Sequence, residues 1–341
     1  MSSDEVWESC WTMSPAQKHI LITGASGLVG PLLAARLLDD PQYRVFMTDI
    51  VPPTVPAGVK HAENATCIAA DLCDKTSLDE LLRSTQPLSA AFLFHGIMSA
   101  GSEANPDLAL RVNLDATRTL LLRLSETNRG LRVVFASSNA IYGPPLPELV
   151  TDATMPTPTG VYGTCKYMVE LLVNDLTRRG CIDGFSVRFP TISVRPGKPT
   201  AAASSFLSGI IREPMNGLEC VVPLTDRGFK TPLCSPRVCV ENLLRVLAWK
   251  TDVLPAHIRS VNFPGIVVSI QEMVDALAKI GGEDKLKLIR EETDEVSEKL
   301  LRSWACHVDY STPLRLGLVL DENAEQLVRE YVDGYVGGFK K

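Results

Sequence analysis

Short apolar runs recur along the first half of the chain at 19–23, 43–49, 66–70, 90–94 and 131–136, each closing on polar or small residues. Apolar runs of about four to eight residues bounded by turn formers read as buried strands. Between them the period changes to that of a helix. The stretch 31–38 carries Leu32, Leu33, Leu37 and Leu38, and 108–127 reads as one long helix. Strands alternating with helices predict an α/β fold built on a doubly wound parallel sheet. Further on, 235–249 spaces Val238, Leu243 and Val246 along a helix that opens at Pro236, as a return to the core. A short strand is expected at 261–263 and another strand at 285–290. Ser269 and Glu272 have the spacing of a capping box at a helix start. The rest, rich in Glu, Leu and Arg, reads as helices around a smaller lobe.

The first strand runs directly into Gly24, Ala25, Ser26, Gly27, Leu28, Val29 and Gly30, and a helix follows. In that setting the first glycine permits a tight turn and the second lets a pyrophosphate approach the backbone. The third lets the helix close onto the strand. Free N–H groups of residues 26–29 would then face the phosphates of a dinucleotide. Asp49 ends the second strand, 19 residues after Gly30. An acid there accepts hydrogen bonds from an adenosine ribose and repels a 2′-phosphate, which favours NAD over NADP. Asp71 and Leu72, after the third strand, are candidates for the adenine end. His95 through Ser99 follow the fourth. His95 could act as a base, but a neutral, hydrogen-bonded ring in the cofactor wall suits its position better. Ser99 is a candidate substrate contact. Asn113 lies inside the long helix and is a candidate cofactor contact. The fifth strand delivers Ser138 and Asn139, where a hydroxyl can hold a substrate oxygen or simply cap a turn. A glycine–serine–glycine nucleophile elbow is missing, which disfavours serine hydrolysis.

Tyr162 and Lys166 stand four apart, on one face of a helix expected over 161–178. An ammonium beside a phenol stabilises the phenolate, so Tyr162 is expected to titrate nearer neutrality and to exchange a proton with an alcohol. By itself the pair reads more simply as a surface Tyr and Lys. Following the glycine turn, Asp49 and Ser138, it becomes the expected chemical centre. Beyond the sixth strand, Arg195 and Lys198 sit in a loop stiffened by Pro196, Gly197 and Pro199. A preorganised guanidinium binds a carboxylate through paired hydrogen bonds. The small residues 201–205, Ser204 among them, leave room and hydroxyl donors for a small polyhydroxy anion. Surface ion pairs are the plainer role for the two cations.

Composition narrows the partners. The 341 residues are 45% hydrophobic and 22% charged, with a net charge of -6 and no block of like charges. Nucleic acid calls for a basic face, so it is not expected. Nine cysteines without a C-x-x-C pair suggest reduced thiols in a cytoplasmic protein, with no disulfide framework or metal site. Residues 1–17, with Asp4, Glu5 and Glu8, read as a disordered tail and not a signal peptide. No apolar stretch has the length of a membrane span.

In order and spacing, Thr23-Gly24-x-x-Gly27-x-x-Gly30, Asp49, Asp71-Leu72, Ser138, Tyr142-Gly143 and Tyr162-x-x-x-Lys166 resemble the extended short-chain dehydrogenase/reductase family of nucleotide-sugar epimerases and dehydratases. The stretches 163–166, 178–184, 188–191, 194–199, 201–206, 209–214 and 235–237 are similar to its D-erythronate dehydrogenase branch. The resemblance implies a Rossmann-type NAD-binding domain over 18–190, with 236–265 returning to it. A smaller substrate-binding lobe would comprise 191–235 and 266–341. It also implies a Ser138–Tyr162–Lys166 catalytic set, with Lys166 on the nicotinamide ribose and Pro190 to Ile192 bordering the nicotinamide. The activity implied is NAD-dependent oxidation of the C2 hydroxyl of a small sugar acid. A sugar epimerase or dehydratase, a tailoring reductase and a non-catalytic NAD sensor remain as alternatives. A homodimer is implied through the helices at 108–127 and 161–178, the second bearing Met168, Leu171, Leu172 and Leu176.

Overall fold

The computed structural model describes residues 17–199 and 204–335. The tail expectation for 1–16 and most of the small-residue stretch at 200–203 lie outside these residues. Gln17 is described, and its amide donates to Pro41 O at 3.0 Å.

Seven parallel strands form the central sheet. In chain order these are β1 (Lys18–Thr23), β2 (Tyr43–Asp49), β3 (Ala65–Ala69), β4 (Ala90–Leu93), β5 (Leu131–Ser138), β6 (Ile182–Phe189) and, much later, β10 (Ser260–Asn262). The spatial order is β10-β6-β5-β4-β1-β2-β3, so winding reverses between β1 and β4. Ligands of open α/β sheets bind at that switch, beyond the carboxyl ends of the strands. Thr23 and Leu93 are register partners there.

The apolar runs bury both faces because successive side chains alternate. Ile20 and Ile22 of β1 enter one core with α1 (Val29–Leu38) and α8 (Pro236–Ala248). Leu21 enters the other, with α2 (Lys75–Thr85), α5 (Thr117–Thr127) and α6 (Val161–Arg178). A third core fills the lobe. It packs α7 (Ser205–Met215), α9 (Ile270–Gly281) and α12 (Ala324–Tyr335) on β9 (Lys230–Cys234) and β11 (Ile266–Ser269), which share a sheet with β7 (Thr191–Ile192), while β8 (Cys220–Val222) pairs with β12 (Ile289–Glu291). Short helices α3 (Ser99–Ala104), α4 (Pro106–Ala109), α10 (Glu295–Arg302) and α11 (Ser311–Arg315) complete the chain.

Two expectations are corrected. The helix over 108–127 is not uniform: α4 passes into a π-helical stretch, Leu110–Ala116, before α5. A π turn costs intrahelical geometry and persists where side chains need re-aiming, and Asn113 sits in it. The strand expected at 285–290 is mostly a 3-10 turn, Glu283–Leu288, with β12 confined to three residues. The capping box at Ser269 and Glu272 forms as read.

At the opposite end of the sheet, buried charge ties α8 to β5 and β6. Asp183 accepts from Arg132 at 2.6 and 2.9 Å and from Arg259 at 2.6 Å. Arg132 donates onward to the carbonyls of Val246, Leu247 and Trp249, satisfying the last turn of α8. Arg259, fully buried, lies over the Phe185 ring.

Candidate active site

The glycine turn is shaped by close approach. Gly24 has φ +67°, and a Cβ there would stand 2.5 Å from His95 N and 2.6 Å from the Phe94 carbonyl carbon. Only glycine lets this turn lie against the end of β4. A Cβ on Gly30 would meet Ala25 Cα at 2.7 Å, so α1 also needs glycine to fold back on the turn. At Leu28, the N-cap of α1, no side chain caps the helix. Ser26 N and Gly27 N are taken within the turn, by Asp49 Oδ2 and Gly24 O, while the helix start at Leu28 and Val29 stays uncapped, as an anion-binding helix N-terminus requires.

Asp49, at the end of β2, bonds the glycine turn. Its Oδ2 accepts from Ser26 N at 2.9 Å and its Oδ1 from Ile50 N at 2.8 Å. Beside it is a cavity of about 320 Å³ lined by Ile50, Asp71, Cys73, Asp74, Leu108, Arg111 and Val112. Asp71 lines it as expected, with Oδ1 accepting from Cys73 N at 2.8 Å. Leu72 does not; its side chain packs against the core under the sheet. Arg111 and Cys73 escaped the sequence reading, because a contact from the π turn carries no motif. These features fit a dinucleotide: a glycine cradle that a Cβ would fill, a carboxylate at the ribose position and a slot beyond it.

Both ring nitrogens of His95 are hydrogen-bonded, Nδ1 to Thr23 Oγ1 at 2.7 Å and Nε2 to Thr117 Oγ1 at 3.0 Å. Burial, aided by the Lys166 charge, drives its pKa down to about 3. A ring held neutral with both nitrogens occupied matches the wall role and not the base. Asn113 is 2% exposed. Its Oδ1 accepts from Ile97 N at 2.7 Å and its Nδ2 donates to Ile97 O at 3.0 Å. It therefore clamps the loop after β4 from behind, and any influence on a cofactor passes through that loop. Ser99 opens α3 next to it.

Ser138, Tyr162 and Lys166 come together. Ser138 ends β5, and its Oγ accepts from Ala140 N at 3.1 Å while bonding the Tyr162 hydroxyl. The capping reading of Ser138 is met, and the same hydroxyl faces Tyr162. Gly163 makes this possible, since a Cβ there would stand 2.1 Å from Ala140 O. Lys166 is 4% exposed, donates to Ala136 O at 2.7 Å and lies 5.5 Å from the centroid of the Tyr162 ring. One expectation fails here. Burial pushes the Tyr162 pKa up to about 12, against the Ser138 hydrogen bond and the positive charge of Arg195. Lys166 offers its ammonium to the ring face and to Ala136, and burial brings its own pKa down to about 8. In the protein alone, desolvation of the phenolate outweighs the neighbouring charges.

On the substrate side, Arg195 Nε donates to Ile192 O at 2.9 Å and its backbone N to Ser208 Oγ at 3.0 Å. Arg212, paired with Glu213, donates to Arg195 O at 3.1 Å. Pro190 and Ile192 are buried at the start of this loop. The amide of Asn139 has no hydrogen-bond partner among the described residues, and its polar atoms are shielded from solvent. Lys198 stands exposed and Ser204 precedes α7; neither is hydrogen-bonded to Ser138, Tyr162 or Arg195 among the described residues. Arg188, on β6 in register with Ser137 of β5, is structural: Glu170 takes it in a two-pronged pair, and its Nη1 donates to Tyr142. A second cavity of about 590 Å³ opens between Pro144, Thr159 and the α10 residues Glu295, Lys299 and Leu300, with Ser303. Among the described residues no group of acidic, histidine or cysteine side chains is placed to hold a metal.

A parallel sheet with a glycine turn at its switch point, an acid after β2 and a tyrosine–lysine pair on α6 defines the class of Rossmann-type NAD-dependent oxidoreductases and epimerases. The chain belongs to the NAD dependent epimerase/dehydratase family, whose signature matches residues 20–247. NAD is the cofactor, and CH–OH groups are what it acts on. D-erythronate dehydrogenases of Haemophilus influenzae and Cupriavidus necator are each 36% identical to it, over 92% of this chain and 98% of theirs. A solved structure described as a nucleoside-diphosphate-sugar epimerase from Agrobacterium tumefaciens superposes with a TM-score of 0.87 at 33% identity, covering 95% of this chain and 96% of that one.

Proposed function

We propose that the chain oxidises the hydroxyl beside the carboxylate of a small sugar acid, a D-erythronate-like 2-hydroxy acid, to the 2-oxo acid. The observation that carries this reading is the placement of Arg195. Its charge reaches the Tyr162 hydroxyl, yet its Nε is tied to Ile192 O, and its terminal nitrogens donate to no described residue. A carboxylate held by that fork sets its neighbouring carbon near Tyr162. The D-erythronate dehydrogenases among the relatives support the same class.

Tyr162 Oη takes the hydroxyl proton, and Ser138 Oγ holds the same oxygen. Asn139, with its unpaired amide, binds a further hydroxyl. Ser138 and Arg195 favour the phenolate, and Lys166 holds the nicotinamide ribose. NAD, when bound, supplies the hydride acceptor and a positive ring that favours the phenolate further. The uncapped helix start at Leu28 and Val29 takes the pyrophosphate, Asp49 the ribose and Asp71 the adenine end. Residues 18–190 with 236–265 are the cofactor domain, and 191–235 with 266–335 the substrate lobe. The free thiols of the described cysteines suit a reducing cytoplasm. Exposed Met168 and Leu171 on α6 suit a homodimer.

A panel of sugar acids with NAD tests the substrate, with NADH formation as the readout. No NADH from any four-carbon 2-hydroxy acid would sink it. Tyr162→Phe is expected to lower turnover by about 10²-fold or more while NAD affinity holds. A second reading, a sugar epimerase, draws on the volume of the 590 Å³ cavity at Pro144 and Thr159, just before α6. Net NADH accumulation separates the two, because an epimerase regenerates its oxidised cofactor in every cycle.

A further inference from the structure

We propose that Glu103 is a positioning residue for Tyr162, capping in trans the helix that carries it. The proposal rests on the reading of Tyr162 as the proton acceptor. The first four N–H groups of a helix have no partner within it and call for one outside. At the start of α6 the N-cap is Gly160, with no side chain to offer. Val161 N donates instead to Oε1 of Glu103, 2.7 Å away and 58 residues back in the chain. The same oxygen lies 2.7 Å from where a Cβ on Gly160 would stand, so the carboxylate occupies the room of the missing cap. Glu103 has no ion-pair partner among the described residues, so its one structural engagement is this cap.

What Glu103 is fixed to gives the cap its consequence. It belongs to α3, where the neighbouring Ser102 is fully buried and donates to Ile97 O at 3.0 Å. Asn113 holds the same Ile97 at both N and O. The loop after β4, α3 and the π turn therefore form one braced unit. That loop also passes close to the active lysine, since a Cβ on Gly96 would stand 3.8 Å from Lys166 Nζ. Tyr162 is the second residue of α6, in the turn where helices fray. Lys166 lies one turn deeper and has its own anchor at Ala136 O. Release of the cap loosens Tyr162 relative to both Lys166 and Ser138 without disturbing the cofactor cradle.

The test compares Glu103→Ala, Glu103→Gln and Gly160→Ala with the full-length wild-type enzyme. The readouts are kcat, both KM values and amide hydrogen exchange at residues 161–164. Glu103→Ala is expected to lower kcat about tenfold and to speed exchange at 161–164 about tenfold, with both KM values within about twofold. Glu103→Gln should restore both, because its amide oxygen accepts the same bond. Gly160→Ala, which crowds the carboxylate away, should resemble Glu103→Ala. Wild-type exchange in Glu103→Ala overturns the proposal, as does faster exchange with unchanged kcat. A Gln variant as impaired as Ala overturns it too. Tyr162→Phe runs in parallel: full turnover there defeats the role of Tyr162, while the exchange data decide the cap independently.

Discussion

Tyr162 is held protonated by its own burial, and two neighbours oppose that: the Ser138 hydroxyl and the Arg195 charge. The sign for Arg195 follows. Replacing it with a neutral side chain removes positive charge near the phenolate, which raises the tyrosine pKa. Less base form is then present at any given pH, and the rising limb of turnover moves to higher pH. The same substitution strips the carboxylate of its fork, an interaction class worth about 1.5–3 kcal/mol. Arg195→Met is therefore expected to raise KM for the acid at least about tenfold and to shift the kcat profile upward in pH. An unchanged profile in stopped-flow or steady-state assays would remove Arg195 from the site. At this scale the spacing of Tyr162 and Lys166 was readable from the chain, but the direction of the tyrosine pKa was not. Spacing reports which groups share a face, whereas desolvation depends on everything packed around them. His95 is the converse, since burial holds its pKa down to about 3, in the direction of the neutral ring its position after β4 suggests.

Helix α6 reaches β5 so closely because Gly163 has no side chain in the way, and the approach seats Tyr162 on Ser138. A methyl group there, 2.1 Å from Ala140 O, forces helix or strand end to move. Gly163→Ala is expected to destabilise by about 1–3 kcal/mol through overpacking. It should also cut turnover by more than the stability loss explains, read as kcat at a temperature where both proteins are folded. Full activity with native stability would show that the contact has slack. The β–α rhythm of the cofactor half was legible because each strand of the parallel sheet is a continuous apolar run. The π turn at Leu110–Ala116 was not, because its apolar spacing still passes for helix; the reason for it is Asn113 reaching Ile97, a tertiary bond. In the lobe, strands of two to five residues such as β7, β8 and β9 are too short to show an alternation.

Taken as a whole, the molecule uses one surface of α6 for its core and leaves another uncovered. Val169, Val173 and Leu176 are buried against the sheet, which moves Leu176 out of the expected interface and into the subunit's own core. Met168 and Leu171, three apart and so on one face, remain 45% and 51% exposed, and Leu110 from the π turn is 38% exposed. Solvated apolar side chains at that spacing on a helix flanked by well-packed neighbours gain by meeting a second copy, through about 25 cal/mol per Å² of apolar surface removed. A two-fold axis would bring the same face of each copy together. The consequence reaches the chemistry, because Met168 and Leu171 share α6 with Tyr162 and Lys166, within about two and a half turns of the first and one and a half of the second. Leu171→Asp places a charge at the centre of such a contact and touches nothing in the subunit's own core. Light scattering is expected to show the wild type at twice the mass of one chain and the variant at one. Turnover of the separated variant should fall with the loss of support for α6. A wild-type protein of single-chain mass would remove this interface, and a variant that stays paired would move it to another face.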